Sequence, residues 1–439
     1  MASDSTQHIR WFRNSAPYIN AHRGSTFVVV IPGEAAQHEN FANIIHDIAL
    51  LHSLGVRLVL IHGARPQIDS RLAGPGITSE FHDGARITDG VVLEHVKDAA
   101  GRLRVEIEAL LSTGLPNSPM QGASIRVSGG NFVTARPLGV VDGVDFQHTG
   151  RVRRIDERAI HRQLEAGCIV LLSPLGYSPT GEVFNLALED VAVQAASALG
   201  ADKLVLFGEA QGVIDERGEL VRQCDLTEAL ALIRSDLTVE QGRLLQTARQ
   251  ACTAGVPRCQ IITYTEDCAL LQELFTHDGS GTLVAPDNYE QSRTATIEDV
   301  GGILELIEPL EREGVLVKRS RELLETEIGQ FRVLVRDGRI VACAALYPFP
   351  DHAAGELACI VTHPEYQGGH RARRLLQDLE QAATGMGLKQ VFVLTTQTAH
   401  WFIEQGFSEA SPEDLPAERQ SLYNLQRNSK IFTRRLGTD

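Results

Sequence analysis

The patterned part of the chain opens with alternating strand-like and helix-like runs. Thr26–Ile31 (TFVVVI) is an unbroken β-branched apolar run, the pattern of a strand covered on both faces. Phe41, Ile44, Ile45, Ile48 and Leu51 recur at helical spacing, and residues 56–61 (VRLVLI) make a second buried strand. Residues 168–172 and 203–207 read as further strands. Between them a helix over about 189–199 is stopped by Gly200. This alternation predicts an α/β fold, with a largely parallel sheet sandwiched by helices. The polar stretch around residues 285–292 breaks the pattern. It predicts a first domain over residues 1–285, a linker over 286–292 and a second domain over 293–439.

The second domain begins with an amphipathic helix carrying Ile297, Val300, Ile303, Leu304 and Ile307 on one face. Phe331–Arg336 and Arg339–Leu346, separated by Asp337-Gly338, predict a hairpin. A strand over 356–361 leads into a glycine loop and then a helix carrying Leu375, Leu376, Leu379, Ala382 and Ala383. A strand over 390–395 and a short helix around 400–404 follow.

The chemistry sits at the glycine loop. Backbone N–H groups at a helix start are unpaired and, with the helix dipole, bind phosphate. Gly368 and Gly369 allow close approach of the backbone, and Arg371, Arg373 and Arg374 add positive charge. A glycine pair alone fits a ligand-free turn equally well; the arginines and the Pro364-x-x-Gln367 spacing favour a phosphate site. The stretch resembles motif A of the GNAT acetyltransferases, Gln/Arg-x-x-Gly-x-Gly/Ala. Gln367 and Ala372 match, and His370 stands at the middle glycine position. The resemblance implies a GNAT fold with a mixed sheet and acetyl-CoA as co-substrate. It places the pyrophosphate at Gln367, Gly368, Gly369, His370, Arg371, Ala372 and Arg373. The thioester carbonyl is then polarised by a backbone N–H near Ile360 or Val361.

Residues 394–407 and 422–430, with Arg319-Ser320-Arg321-Glu322, resemble the bacterial N-acetylglutamate synthases, and the likeness extends over nearly the whole chain. It implies acetyl transfer to L-glutamate in a ternary complex, the first step of arginine biosynthesis. A dicarboxylate needs cations, and planar arginine forks suit carboxylates. By resemblance these are Arg319, Arg419 and Arg427, assisted by the Thr395 hydroxyl and the Cys359 backbone. The protonated amine of glutamate requires a base. Glu356 fills that role by resemblance, and Tyr423 is either the acid for the departing thiolate or a packed aromatic. Cys359 has no histidine placed locally to activate it as an acyl-carrying nucleophile, so a packed thiol is preferred.

In the first domain, Thr26–Gly33, residues 58–68, Asn185–Asp190 and Glu273–Thr282 resemble the amino-acid kinase fold, N-acetylglutamate kinase in particular. Working kinases of that family carry a lysine at the end of the first strand; here the position is Val30, and Glu34 lies nearby. Phosphoryl transfer depends on positive charge at the phosphate, so this domain is expected not to be a kinase. The resemblance implies a regulatory domain that binds L-arginine at Tyr18, Glu273, Gly279, Ser280 and Gly281, with Gln260 where the kinases often have histidine. It also implies a homo-oligomer, a hexameric ring. A purely structural domain is the alternative. A bifunctional synthase and kinase is opposed by Val30. An amino-acid sensor with a non-catalytic acetyl-CoA module is opposed by the intact Gln367 loop and the three arginines. An arginine-lined site would repel the lysine of a protein acceptor.

Composition narrows the partners. The chain has 439 residues, enough for two or three domains, and a formal net charge of −15, which argues against a nucleic-acid partner. Seven cysteines, an odd number with no Cys-x-x-Cys spacing, argue against a disulfide framework or a zinc site; no metal is expected. No apolar run approaches the roughly 20 residues of a membrane span, and the N-terminus lacks a basic-then-apolar signal. A cytoplasmic protein with no membrane partner is expected.

Overall fold

In the computed structural model, placement is described for residues 13, 15–114, 120–276, 279–286, 291–336, 339–367, 371–396, 398–421 and 429–437. The chain divides into two compact units, Met1–Asn288 and Tyr289–Asp439. Among the described residues no helix is long and apolar enough to cross a membrane.

The first unit is built on eight strands: β1 (Thr26–Ile31), β2 (Arg57–His62), β3 (Arg126–Gly129), β4 (Cys168–Leu172), β5 (Lys203–Gly208), β6 (Gln223–Cys224), β7 (Cys259–Thr263) and β8 (Thr282–Val284). Their order across the sheet is β6-β8-β7-β5-β1-β2-β4-β3. The β7–β8 pair is antiparallel and the other pairs are parallel. The helices used below are α1 (Ala16–His22), α2 (Phe41–Ser53), α3 (Arg65–Ala73), α4 (Gly90–Leu111), α5 (Leu188–Ala198), α6 (Val239–Thr253) and α7 (Ala269–Phe275). The unbroken apolar run of β1 is explained by its two covered faces. Val28 and Val30 pack with Val191 of α5 and Leu245 of α6, while Phe27, Val29 and Ile31 pack with Ile44 of α2 and Ile107 of α4. Gly200 takes φ +56° just past α5, the left-handed conformation that glycine tolerates best at a helix end. A closed barrel of short strands, Val133–Pro137, Thr149–Ile155, Leu175–Tyr177 and Val183–Leu186, was not expected from the pattern.

The second unit has one mixed sheet of β9 (Gln291–Thr294), β10 (Phe331–Arg336), β11 (Arg339–Phe349), β12 (Ala354–Thr362), β13 (Gln390–Thr395), β14 (Ser408–Ala410) and β15 (Lys430–Arg435), in the order β9-β10-β11-β12-β13-β15-β14. Only β12–β13 is a parallel pair among these strands. One face carries α10 (Arg371–Gly385) through Leu375, Leu376, Leu379 and Ala383. The other carries α8 (Val300–Arg312) and α9 (Arg321–Glu327). Ile297 corrects the sequence reading. It lies in a one-turn helix before α8 and is 59% exposed, because a Thr296–Asp299 capping box closes that turn first. The turn residues Asp337 and Gly338 lie outside the described residues.

Asp47 of α2 is buried, and that burial, reinforced by Asp267, pushes its carboxyl from 3.8 up to about 7. The folded chain therefore holds this proton where the unfolded chain has released it, and stability falls as pH rises from about 4 to about 7. Asp47→Asn is expected to flatten that limb in a pH series of thermal midpoints; an unchanged slope would contradict the assignment.

Candidate active site

The centre of the second sheet comes apart at one point. The β12–β13 ladder ends at Leu357↔Val393, while β13 continues to Thr395 against β15. Beyond that pair β12 and β13 run on without ladder partners in each other. At the same place β12 is bulged. Its register with β11 steps from Ala345↔Ala358 to Cys343↔Val361, so Ala344 faces two residues, Cys359 and Ile360. Cys359 has φ +50°, a left-handed conformation that costs a side-chain-bearing residue roughly 1–2 kcal/mol. The bulge also breaks the alternation of faces: Leu357 and Ile360 pack on the α10 side, Cys359 and Val361 on the α8 side. The backbone of Cys359 and Ile360 thereby stands outside the regular ladder with β11.

Charged side chains gather around the bulge. Glu356 is held in a fork by Arg419 of a short helix, α11 (Ala417–Ser421): Nε donates to Oε2 at 2.7 Å and Nη2 to Oε1 at 3.0 Å. The fold thus brings the expected base and one expected acceptor-binding arginine together, with Arg419 engaged by Glu356. Arg319 lies just before α9. Its backbone N–H donates to Glu311 Oε1 at 2.9 Å, Nη1 donates to the Val317 carbonyl at 3.1 Å, and its charge acts on the Cys359 thiol. Burial nonetheless pushes that thiol up to about 11, so Cys359 stays a neutral, packed thiol rather than a nucleophile. Its carbonyl accepts a weak bond from the Cys343 thiol at 3.6 Å. Thr395 ends β13, where its hydroxyl bonds that of Thr398 at 2.8 Å and accepts the Thr398 N–H at 3.1 Å. Tyr423 and Arg427 lie outside the described residues.

The glycine loop is described only at its edges. Gln367 follows a one-turn helix and is exposed, Gly368, Gly369 and His370 lie outside the described residues, and α10 opens at Arg371 and Ala372. Arg371 Nη1 donates to the Tyr366 carbonyl at 2.9 Å, and its guanidinium lies 5.5 Å from the centre of the Tyr366 ring. Arg373 Nε donates to Gln405 Oε1 at 2.8 Å. Both arginines are held at the start of the helix, where its dipole already favours an anion.

In the first unit, Glu273 of α7 accepts the backbone N–H groups of Ser280 and Gly281 at 2.8 and 3.0 Å, and Ser280 Oγ donates to the Ala269 carbonyl at 2.8 Å. Gly279 needs to be glycine: φ is +63°, and a Cβ there would lie 2.5 Å from Glu273 Oε2. At Gly281 a Cβ would run into the Ile261 carbonyl oxygen. Tyr18 of α1 packs in the same apolar cluster as Leu274 and Phe275, and Gln260 is buried. The loops after β1 and β2 close on one another. Gln67 Nε2 donates to the Gly33 carbonyl at 2.7 Å, and a Cβ on Gly63 would lie 2.9 Å from the Gly33 nitrogen. Val30 is buried in the apolar core. A cavity of about 570 Å³ persists beside these loops, with Glu34 among its lining.

The left-handed Cys359 gives a direct check on the bulge. A β-branched residue fits φ +50° poorly, so Cys359→Val is expected to cut turnover at least tenfold, whereas Cys359→Ala retains most of it. Equal turnover in the two variants would contradict a role for this backbone conformation.

The amino acid kinase family profile matches residues 25–263, and the acetyltransferase (GNAT) family profile matches residues 301–407. Over 98% of its length the chain is 59% identical to the amino-acid acetyltransferase of Azotobacter vinelandii and 58% identical to that of Ectopseudomonas mendocina, covering 99% of each. It is 39% identical to N-acetylglutamate synthase from Neisseria gonorrhoeae. The crystal structure of that enzyme complexed with coenzyme A and L-arginine matches with a TM-score of 0.89, over 98% of this chain and 99% of the other. Its complex with coenzyme A and N-acetyl-glutamate matches over the same shares with a TM-score of 0.63. The two resemblances read from the motifs thus recur as two matched domains in one order. With relatives at that identity end to end, the chain belongs to the amino-acid acetyltransferase family.

Proposed function

We propose that this N-acetyltransferase acetylates the α-amino group of L-glutamate, and that acetyl-CoA, the co-substrate of its GNAT unit, lies where the β12–β13 ladder ends. The observation that carries the reading is the coincidence of that ladder end with the Cys359 bulge and with Arg319, Glu356 and Arg419 around it. The backbone N–H of Ile360 or Val361 takes the developing oxyanion of the thioester carbonyl. Arg319, with Arg427 and the Thr395 hydroxyl, takes the acceptor carboxylates. Glu356 receives the ammonium proton through a water. Arg419 occupies one direction on each carboxylate oxygen, and each oxygen keeps a second lone pair for that water. The neutral amine then attacks directly, and Tyr423 protonates the departing thiolate. The pyrophosphate lies on the segment Gln367–Arg373. This is the first step of arginine biosynthesis, in the cytoplasm.

The first unit acts as a regulatory domain rather than a kinase. Val30, buried in the apolar core, and the Gln67 bond that ties the Gly33 loop support that reading, and the Glu273–Ser280–Gly281 turn is the site of feedback inhibition by L-arginine. It also holds the chain in a homo-oligomer, a hexameric ring. The expected outcome of a coenzyme A release assay is turnover that depends on L-glutamate and falls when L-arginine is added, with no phosphorylation of N-acetylglutamate from ATP. Release that ignores glutamate would overturn the acceptor, and release that ignores arginine would overturn the regulation.

A further inference from the structure

Arg373 stands exposed in the first turn of α10, and one side of its guanidinium is already engaged: Nε donates to Gln405 Oε1 at 2.8 Å. Its two Nη groups have no partner among the described residues. Gln405 closes the short helix Ala399–Glu404, and its polar groups have separate duties. The backbone N–H donates to the Trp401 and Phe402 carbonyls at 3.0 and 3.1 Å. The backbone carbonyl accepts Arg434 Nη1 at 2.9 Å, and the same Nη1 donates to Glu380 Oε1 at 2.9 Å. Glu380 lies about two turns beyond Arg373 on α10, and Arg434 belongs to β15, its guanidinium 5.9 Å from the centre of the Phe407 ring. Phe402 and Phe407 are packed in the core with Leu375, Leu376 and Leu379 of α10. The Gln405 backbone is thus fixed by its own helix, by β15 and by α10. Closing the helix needs only that backbone. The side-chain amide takes no part in it, and its oxygen holds Arg373.

We propose that Gln405 is a positioning residue for the acetyl donor: by taking Arg373 Nε it presents the Nη edge of that guanidinium to the phosphates of coenzyme A at the start of α10. This rests on the reading of Gln367–Arg373 as the pyrophosphate seat. A guanidinium is a planar fork with donors along more than one edge, so a single acceptor at Nε leaves the Nη–Nη edge open. The acceptor is also neutral. Arg434 is paired with a carboxylate, Glu380, which offsets its charge; Arg373 is oriented by an amide and keeps its full charge for an anion, beside a helix N-terminus whose dipole favours the same sign. Freezing an arginine side chain is costly in entropy, and anchoring it in advance removes that cost from ligand binding. Gln405 touches neither the thioester nor the amine in this scheme, so its effect falls on donor binding rather than on acetyl transfer.

Calorimetric titration of the full-length protein with coenzyme A, alongside steady-state kinetics, tests the proposal. Gln405→Met keeps the stem and the backbone bonds but loses the acceptor. It is expected to weaken coenzyme A binding and to raise the acetyl-CoA KM roughly fivefold, with the L-glutamate KM and the thermal midpoint unaltered. Gln405→Glu keeps an acceptor at the same reach but offsets the Arg373 charge, and is expected to weaken coenzyme A binding at least as much. With S-acetylpantetheine, a donor without phosphates, the wild type and both variants are expected to share one kcat/KM. In an Arg373→Met background, Gln405→Met is expected to add nothing. A purely structural Gln405 would instead tolerate glutamate, lower the thermal midpoint when changed to methionine, or slow the reaction of S-acetylpantetheine as well, and any of these results would overturn the proposal. If Arg373→Met itself leaves coenzyme A affinity unchanged, the placing of the phosphates at Arg373 fails; if Arg373→Met weakens it and Gln405→Met does not, the positioning role alone fails.

Discussion

A parallel strand pair in the middle of a sheet normally stays paired to its end, because a buried backbone group without a partner costs free energy comparable to a lost hydrogen bond. Here the β12–β13 ladder stops at Leu357↔Val393, short of the ends of both strands. The bulge at Cys359 goes with that interruption. A residue held at φ +50° costs about 1–2 kcal/mol, and the surrounding core maintains it: Cys359 and Val361 are packed beneath α8, while Leu357 and Ile360 lie against α10. Strain of this kind, over-determined by its surroundings, is what preorganises backbone donors for a ligand.

The charged groups follow from the same geometry. The bulge leaves the Cys359 thiol within electrostatic reach of both Glu356 and Arg319. Arg419 then pairs with Glu356 in a two-bond fork, the geometry in which an arginine and a carboxylate bind most strongly. Both partners are largely sheltered from solvent, with 21% and 12% of their side chains exposed. Losing either one would leave its counterpart uncompensated, so the pair has to be judged as a unit.

Much of this architecture was legible in the residues. β1 could be read because both its faces are covered, which leaves a continuous β-branched run, and β13 was read with its observed bounds. The barrel strands escaped because they are short and mix polar with apolar positions, and Ile297 misled because a local cap overrode the helical period. The glycine loop and Arg319 carried recognisable motifs. The left-handed bulge did not, since nothing marks a cysteine as the residue that will take a conformation usually left to glycine or asparagine. The Glu356–Arg419 fork joins residues 63 positions apart, and the Arg373–Gln405 bond joins residues 32 apart, so neither leaves a local signal.

The first unit carries the amino acid kinase fold. The β1 and β2 loops remain in place, yet Gln67 locks them together and Val30 is drawn into the core. In the second unit the equivalent test is whether the bulge is where acyl transfer happens. The most direct measurement is a crystal structure of the protein with a bisubstrate adduct joining coenzyme A to the nitrogen of glutamate. The acyl oxygen is predicted to lie within hydrogen-bonding distance of the Ile360 or Val361 backbone nitrogen, with a glutamate carboxylate on Arg319. An adduct whose acyl oxygen lies away from the bulge, with Arg319 unengaged, would contradict the account.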